Sequence, residues 1–442
     1  MTETSRRSLF VLGGTAALVA ATASRTDAAP DGLKSRPLGR HIAFGADPSR
    51  QVVISWQQLE KPVAPYVRIA TSENNFSAPV AAEVRTLKSE IGWQEGDHSF
   101  PPHGPDPMYQ YYLHVKLNDL KPDTTYFYVV GHQNYTPGKR RGEVAKFRTA
   151  PASTSTKPFT FTAFGDHGYG YNARKINSLA ADQEPAFHLA LGNLSYAIHN
   201  GTPNLEGGHP DTDKYDAARW NSLFAQNEFI AANTPWMITL GNREMEEWYS
   251  PNGYGGVQAR FTMPDKSYYA WRYQNVGLIS LDSNDISRNP ANLNYTKGKQ
   301  LTWLKAQLQR LRADPTIDFI VVHLHHATYS TAEGGSEELA QQKWAPVFDK
   351  YRVDLVLNAH NRVYERTDPI KAGKAVNDGT TYVTVGIGGQ GLDRFSTDTL
   401  PWSRVRYRGY GLVAVDVAPK QMTVRALDED GGLIDQFTLP RT

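Results

Sequence analysis

The chain has no cysteine anywhere in its 442 residues. That removes disulfides and thiolate ligands together, so stability must come from packing, and any metal must be held by His, Asp, Asn, Tyr or Glu. A charge excess is lacking too: 47 basic residues face 45 acidic ones, a net charge of +2. Such a balance gives no electrostatic footprint for nucleic acid or for an anionic membrane surface. There is no internal repeat, and no low-complexity tract beyond one short linker. The apolar stretch Val11 to Ala23 is too short and too rich in Gly, Ala and Thr to serve as a transmembrane anchor, since a span needs ~20 apolar residues. What remains is a soluble globular composition, 40% hydrophobic and 21% charged, at a length that buries a sizeable core and supports more than one domain.

Residues 1–30 read as a targeting segment. Ser5-Arg6-Arg7-Ser8-Leu9-Phe10 precedes the apolar stretch, and small residues at Ala21, Ala23, Ala28 and Ala29 offer cleavage sites, with Ala23 and Ala28 both suitable. A twin arginine before a modest apolar segment points to the Tat export route, hence to a periplasmic, cell-wall or extracellular destination.

From residue 31 to 150 the pattern is β. Val52-Val53-Ile54-Ser55-Trp56 and Thr125-Tyr126-Phe127-Tyr128-Val129-Val130 alternate, with turn residues between them. Leu120-Lys121-Pro122-Asp123-Thr124-Thr125-Tyr126 matches the tyrosine corner of fibronectin type III-like sandwiches, with Trp56 as the core tryptophan. Residues 151–158 are small, polar and bounded by prolines, the composition of a linker. Beyond it, strands and helices alternate: Phe159 to Phe164, Phe319 to Val322 and Val353 to Leu357 read as buried strands, and Leu301, Trp303, Leu304, Leu308 and Leu311 form one face of a helix. The fold class is therefore multidomain, an N-terminal all-β sandwich followed over 159–442 by an α/β sandwich.

Five polar motifs stand where hydrophobic runs stop: Gly165-Asp166-His167-Gly168, Gly192-Asn193-Leu194-Ser195-Tyr196, Gly241-Asn242-Arg243-Glu244, Val322-His323-Leu324-His325 and Ala359-His360-Asn361-Arg362. Ligands of open α/β sheets gather beyond the carboxyl ends of strands, where these motifs fall. In this order they resemble the purple acid phosphatase family of calcineurin-like metallophosphoesterases, whose pattern reads GDxG, GDxxY, GNHE, VxxH and GHxH. Tyr364-Glu365-Arg366 and the string from Tyr254 to Phe261 add to the resemblance, which covers Phe159 to about Asp416 and the β domain before it.

The resemblance implies a dinuclear site hydrolysing phosphomonoesters, an acid phosphatase activity. Asp166 and Tyr196 would be ligands of a first, ferric site, position 193 would bridge the metals, and Asn242, His325 and His360 would hold a second, divalent metal: zinc, iron or manganese. Three positions depart from the pattern. Asn193 replaces the bridging aspartate, and a neutral amide cannot supply the charge that holds two cations together. Arg362 replaces a first-metal histidine, and a guanidinium has no lone pair to give. Two unit charges ~4 Å apart repel by ~4 kcal/mol at an effective dielectric of ~20, so first-site iron is not expected. Arg362 is expected to fill that space and pair with Asp166. Arg243 replaces a phosphate-contacting histidine; it still recognises phosphate but cannot donate a proton to a leaving alkoxide.

The stretch from Thr328 to Glu338 contains no histidine that could take over that task. No catalytic residue is assigned. Arg243, Arg362 and His326 are the substrate-binding candidates, and His167, His326, His199 and His209 are candidate substitute ligands. The expected partner is phosphate or a phosphorylated small molecule. Two functions stay open: weak phosphomonoester hydrolysis, or silent binding of such a ligand.

Overall fold

The computed structural model describes residues 36–89, 108–138, 142–198, 216–246, 253–265, 267–287 and 292–441. The targeting segment, His199 and His209 lie outside the described residues.

Two four-stranded antiparallel sheets form the N-terminal sandwich. One runs in the order Leu38–Phe44, Val52–Gln58, Met108–Leu117, Glu83–Ser89, the other Val80–Ala81, Tyr66–Ala70, Thr125–Gly131, Ala145–Arg148. Trp56 is buried between them. The tyrosine corner is present, with the Lys121 amide donating to the Tyr126 hydroxyl at 2.9 Å. Alternation along Val52–Gln58 predicts one wet face, yet all seven residues are buried. The polar face is covered by the second domain: Gln57 and Gln110 both donate to Asn221 Oδ1 on helix Ala218–Ala231, and Ser55 shares a hydrogen bond with buried His114.

The second domain stacks a six-stranded and a seven-stranded sheet. The first has the order Trp236–Ile238, His188–Ala190, Phe159–Phe164, Gly411–Ala418, Gln421–Asp428, Leu433–Pro440, with its first three strands parallel. The second runs Tyr269–Tyr273, Val276–Ser280, Phe319–His323, Leu355–Asn358, Thr381–Val385, Tyr364–Thr367, Ser403–Tyr407, parallel through its middle. The helix expected from its leucines spans Lys299–Ala313 and buries Leu304, Leu308 and Leu311. Phenylalanines, valines and leucines of the inner faces fill the space between the sheets. Packing two parallel-centred sheets in this way brings the carboxyl ends of five strands to one rim.

Candidate functional site

Each of the five motifs leaves its strand at that rim, and hydrogen bonds between them fix their order. Asp166, His167 and Gly168 donate main-chain N–H groups to the carbonyls of Gly192, Asn193 and Leu194 in register, at 3.0, 3.1 and 2.8 Å. The first two motifs thus run side by side. Gly192, at φ 88°, lies so close to the third and fourth that an added Cβ would sit 2.7 Å from both Gly241 N and His325 Nδ1. Glu244, fully buried, accepts from the amides of Asn193, Leu194 and Gly241 at 2.7, 2.8 and 2.7 Å. Burial pushes its carboxyl up to about 7. Asp166, Asn193, Tyr196 and His360 all adopt left-handed backbone, with φ of 53°, 55°, 53° and 67°, a strain that non-glycine residues tolerate chiefly where the surroundings over-determine them.

The structure brings Asn242, His325 and His360 together. His325 Nε2 lies 3.2 Å from Asn242 Oδ1 and 3.3 Å from His360 Nδ1. His325 Nδ1 is 2.7 Å from the Leu191 carbonyl, which can only accept, so this nitrogen carries the proton. Burial lowers the His325 pKa, which favours a neutral ring whose Nε2 faces the Asn242 amide oxygen as an acceptor, with His360 Nδ1 beside it. Two lone pairs facing each other suit a cation between them. Ligands ~2.0–2.1 Å from a tetrahedral metal stand ~3.3 Å apart, so the donor set and its spacing fit one divalent ion. The carbonyl on the far ring nitrogen orients the ligand as metal-binding histidines require. Among the described residues no three His, Asp or Glu side chains gather as a metal-holding group; this cluster depends on the Asn242 amide.

The other half is organised differently. Asp166 is buried, and its Oδ1 accepts from Asn193 Nδ2 at 3.0 Å and from the Tyr196 hydroxyl at 2.5 Å, while Oδ2 accepts from His360 N at 2.7 Å. Asn193 Oδ1 is taken by the Arg243 amide at 2.9 Å, which turns its NH2 toward Asp166. Burial, reinforced by Asp166, raises the Tyr196 pKa well above that of a free phenol, so it is a proton donor rather than a phenolate. Asp166 therefore has both oxygens occupied by protein donors. This arrangement does not fit a ferric ion.

Arg362 does not pair with Asp166, contrary to expectation. Its main-chain N and its Nε donate to Asp393 at 2.8 and 3.0 Å, and an Nη2 contact completes the fork. The physical reason is local: both oxygens of Asp166 already accept protein hydrogen bonds, whereas Asp393 takes the Arg362 main-chain N–H on Oδ2 and receives Nε and Nη2 together on Oδ1, a charge-assisted pair. Arg243 donates from Nη1 to the Ile198 carbonyl at 2.8 Å and lies 4.3 Å above the Tyr196 ring. His326 is buried beside His360, ring centroids 4.5 Å apart, with Nδ1 on Ser283 Oγ at 2.7 Å. Its Nε2 has no hydrogen-bond partner. His167 turns away from the rim into an aromatic nest with Phe164 and Trp236.

Sequence reasoning missed Asp393 and the segment leading to it. Gly386-Ile387-Gly388-Gly389-Gln390-Gly391 is a sixth strand-end motif, following Thr381–Val385. Gly388 N and Gln390 N donate to the carbonyls of Gly165 and Asp166. Its glycine density directly after a buried strand was the available signal.

Comparison with known families matches both domains. Residues 37–149 match the purple acid phosphatase N-terminal domain, and residues 159–364 match the calcineurin-like phosphoesterases. The chain belongs to the purple acid phosphatase-like metallophosphoesterases. An uncharacterized protein of Mycobacterium tuberculosis is 28% identical, over 91% of this chain and 87% of its own length. Purple acid phosphatase 18 of Arabidopsis thaliana is 26% identical, covering 82% and 80%. Among solved structures, the purple acid phosphatase PPD1 of yellow lupin seeds superposes with a TM-score of 0.73 at 22% identity, over 92% of this chain and 75% of that one. PhoD follows at 0.60 and 16%, over 93% and 92%. These structural likenesses establish the shared fold. Purple acid phosphatase-like phosphoesterases form a dinuclear metal family; this chain carries Asn193, Arg243 and Arg362 at three positions of its motifs. No helix among the described residues is long and apolar enough to cross a membrane.

Proposed function

We propose that the chain is an exported phosphoesterase that holds one divalent cation, binds phosphomonoesters and hydrolyses them feebly. The observation that carries this reading is the double donation of Asn193 Nδ2 and the Tyr196 hydroxyl to one oxygen of Asp166. It ties up the carboxylate and the phenol that a first metal would need. Asn242, His325 and His360 are the residues that would hold the cation, as zinc, iron or manganese. When bound, such a cation would polarise a phosphoryl oxygen. Arg243, the outer edge of Arg362, and His326 Nε2 are assigned to the phosphate.

Protonation of the leaving alkoxide is the weak step. A guanidinium at position 243, unlike an imidazole, offers no general acid near neutral pH, and the stretch 328–338 supplies no histidine. The same two features favour a second reading, in which the pocket binds a phosphorylated ligand without turning it over. The proposed organisation places export in residues 1–30, the sandwich in 31–150, the linker in 151–158 and the phosphoesterase domain in 159–442.

Metal analysis of the purified protein, paired with a p-nitrophenyl phosphate assay, tests the proposal. The expected result is at most one equivalent of divalent metal, no purple absorption band and slow turnover. Two equivalents with brisk turnover would overturn it.

A further inference from the structure

Tyr169 and Tyr171 follow directly on the first motif and are 39% and 79% exposed. The register between the first two motifs ends with Gly168 on Leu194, one residue before Tyr169. Arg219 joins them: its guanidinium carbon lies 5.9 Å from the Tyr169 ring centroid, and its Nη1 donates to the Tyr196 carbonyl at 2.8 Å. On the ring of Tyr196 sits Arg243, at 4.3 Å. These contacts form a short ladder from partly exposed Tyr169 to buried Tyr196: each ring carries a guanidinium, Arg219 and Arg243 respectively, and Arg219 joins the two rungs through the Tyr196 main-chain carbonyl. The turn that presents Tyr169 and Tyr171 is itself anchored, with Gly170 N donating to Gln226 Oε1 at 2.8 Å.

We propose that this ladder selects phosphomonoesters whose alcohol portion carries a planar aromatic group. The inference rests on the phosphomonoester-binding reading above and adds the class of substrate. An anion drawn to Arg243 leaves its organic group at the rim, where the Tyr169 ring is already flanked by a cation and offers a π-face to stack on. Tyr169 and Tyr171, separated by Gly170, both keep ring surface in solvent on this turn. An alkyl group gains only area there, whereas an aromatic ring gains stacking geometry as well. Stacking of a planar ring on one aromatic side chain changes affinity by roughly tenfold.

Phosphonates test the idea without turnover. Zinc-loaded full-length protein is titrated calorimetrically with inorganic phosphate, phenylphosphonate and butylphosphonate. Wild type should bind phenylphosphonate about tenfold more tightly than butylphosphonate, Tyr169→Ala should bring that ratio close to one, and Tyr169→Phe should keep it. Equal affinity for the two phosphonates in wild type, or a ratio that survives Tyr169→Ala, overturns the substrate class while leaving phosphate binding intact. Failure of all three anions to bind overturns the underlying reading and this inference with it.

Discussion

The two halves of the site are built from the same kind of strand-end loop, yet their polar atoms point to opposite outcomes. Around His325 the ring nitrogen and the Asn242 oxygen face each other as lone pairs at 3.2 Å, an arrangement that invites a cation. Around Asp166 every oxygen meets a donor, an arrangement that needs none. The difference traces to one atom and one ring. Exchanging a carboxylate for an amide at Asn193 converts an acceptor into a donor aimed at Asp166, and exchanging an imidazole for the guanidinium of Arg362 removes a lone pair. The strand-end loops are laid out alike in both halves, while the carboxylate of one half is engaged by internal hydrogen bonds.

The largest effect should come from reopening the closed half. Asn193→Asp combined with Arg243→His and Arg362→His restores a bridging carboxylate, an acid and a metal ligand. A second equivalent of metal and a rise in p-nitrophenyl phosphate turnover of at least tenfold are expected. Metal content that stays at one equivalent would mean that Asp166 is closed by something other than these residues.

Next in size is the support under the open half. Glu246, four residues beyond Asn242, accepts from Arg260 Nη1 at 2.7 and 2.9 Å and from Trp220 Nε1 at 2.6 Å, and both charged side chains are fully buried. Arg260 also reaches Tyr112 of the sandwich at 3.3 Å, so the pair ties the Asn242 loop to the domain interface. Glu246→Leu leaves a buried guanidinium short of its counter-charge and should cost about 3–5 kcal/mol in urea unfolding. A loss under about 1 kcal/mol would show that the loop does not depend on it.

The same interface should respond to acid. Burial lowers His114 to about 3 and His41 to about 4, against ~6.5 when unfolded. Groups whose folded pKa is depressed in this way stay neutral in the fold while the unfolded chain takes up protons. Their contribution is therefore intact above pH 6.5 and is lost as the pH falls toward the folded values, roughly 2 kcal/mol per histidine at pH 5. Urea midpoints measured from pH 7.5 to 4.5 should fall, and His114→Gln should flatten the slope. Midpoints independent of pH would contradict this account.

How far these features could be read in advance depended on whether they were local. The strands before Gly165 and His325, the helix face of Leu304 and Leu308, and the Tyr126 corner each follow from short patterns, and motif order placed Asn242, His325 and His360 together. The partner of Arg362 could not be read, because choosing between Asp166 and Asp393 requires knowing that the Asp166 carboxylate already accepts three hydrogen bonds, two from the Asn193–Tyr196 motif and one from His360. Burial of both faces of Val52–Gln58 was hidden for the same reason: the covering helix lies more than 150 residues away in the chain.

The smallest effect belongs to the glutamine variant of a residue that joins the two halves. Glu365 is buried on the strand that follows Arg362, and it accepts from Ser330 Oγ and Thr331 N at 2.8 Å through Oε2, and from Thr331 Oγ1 and Ser403 Oγ at 2.6 Å through Oε1. Ser330 and Thr331 belong to the loop that follows His325, so one carboxylate couples the open half to the closed one. Glu365→Gln keeps an oxygen toward the Thr331 amide and turns its NH2 to two hydroxyls, which can rotate to accept. Only the charge assistance is lost, about 1 kcal/mol. Glu365→Ala strands the Thr331 N–H, which cannot reverse its role, and should cost ~3 kcal/mol, with faster hydrogen exchange at Thr331 and Ala332. If alanine and glutamine prove equally mild, the loop is held by its packing, and the coupling between the halves is not carried by Glu365.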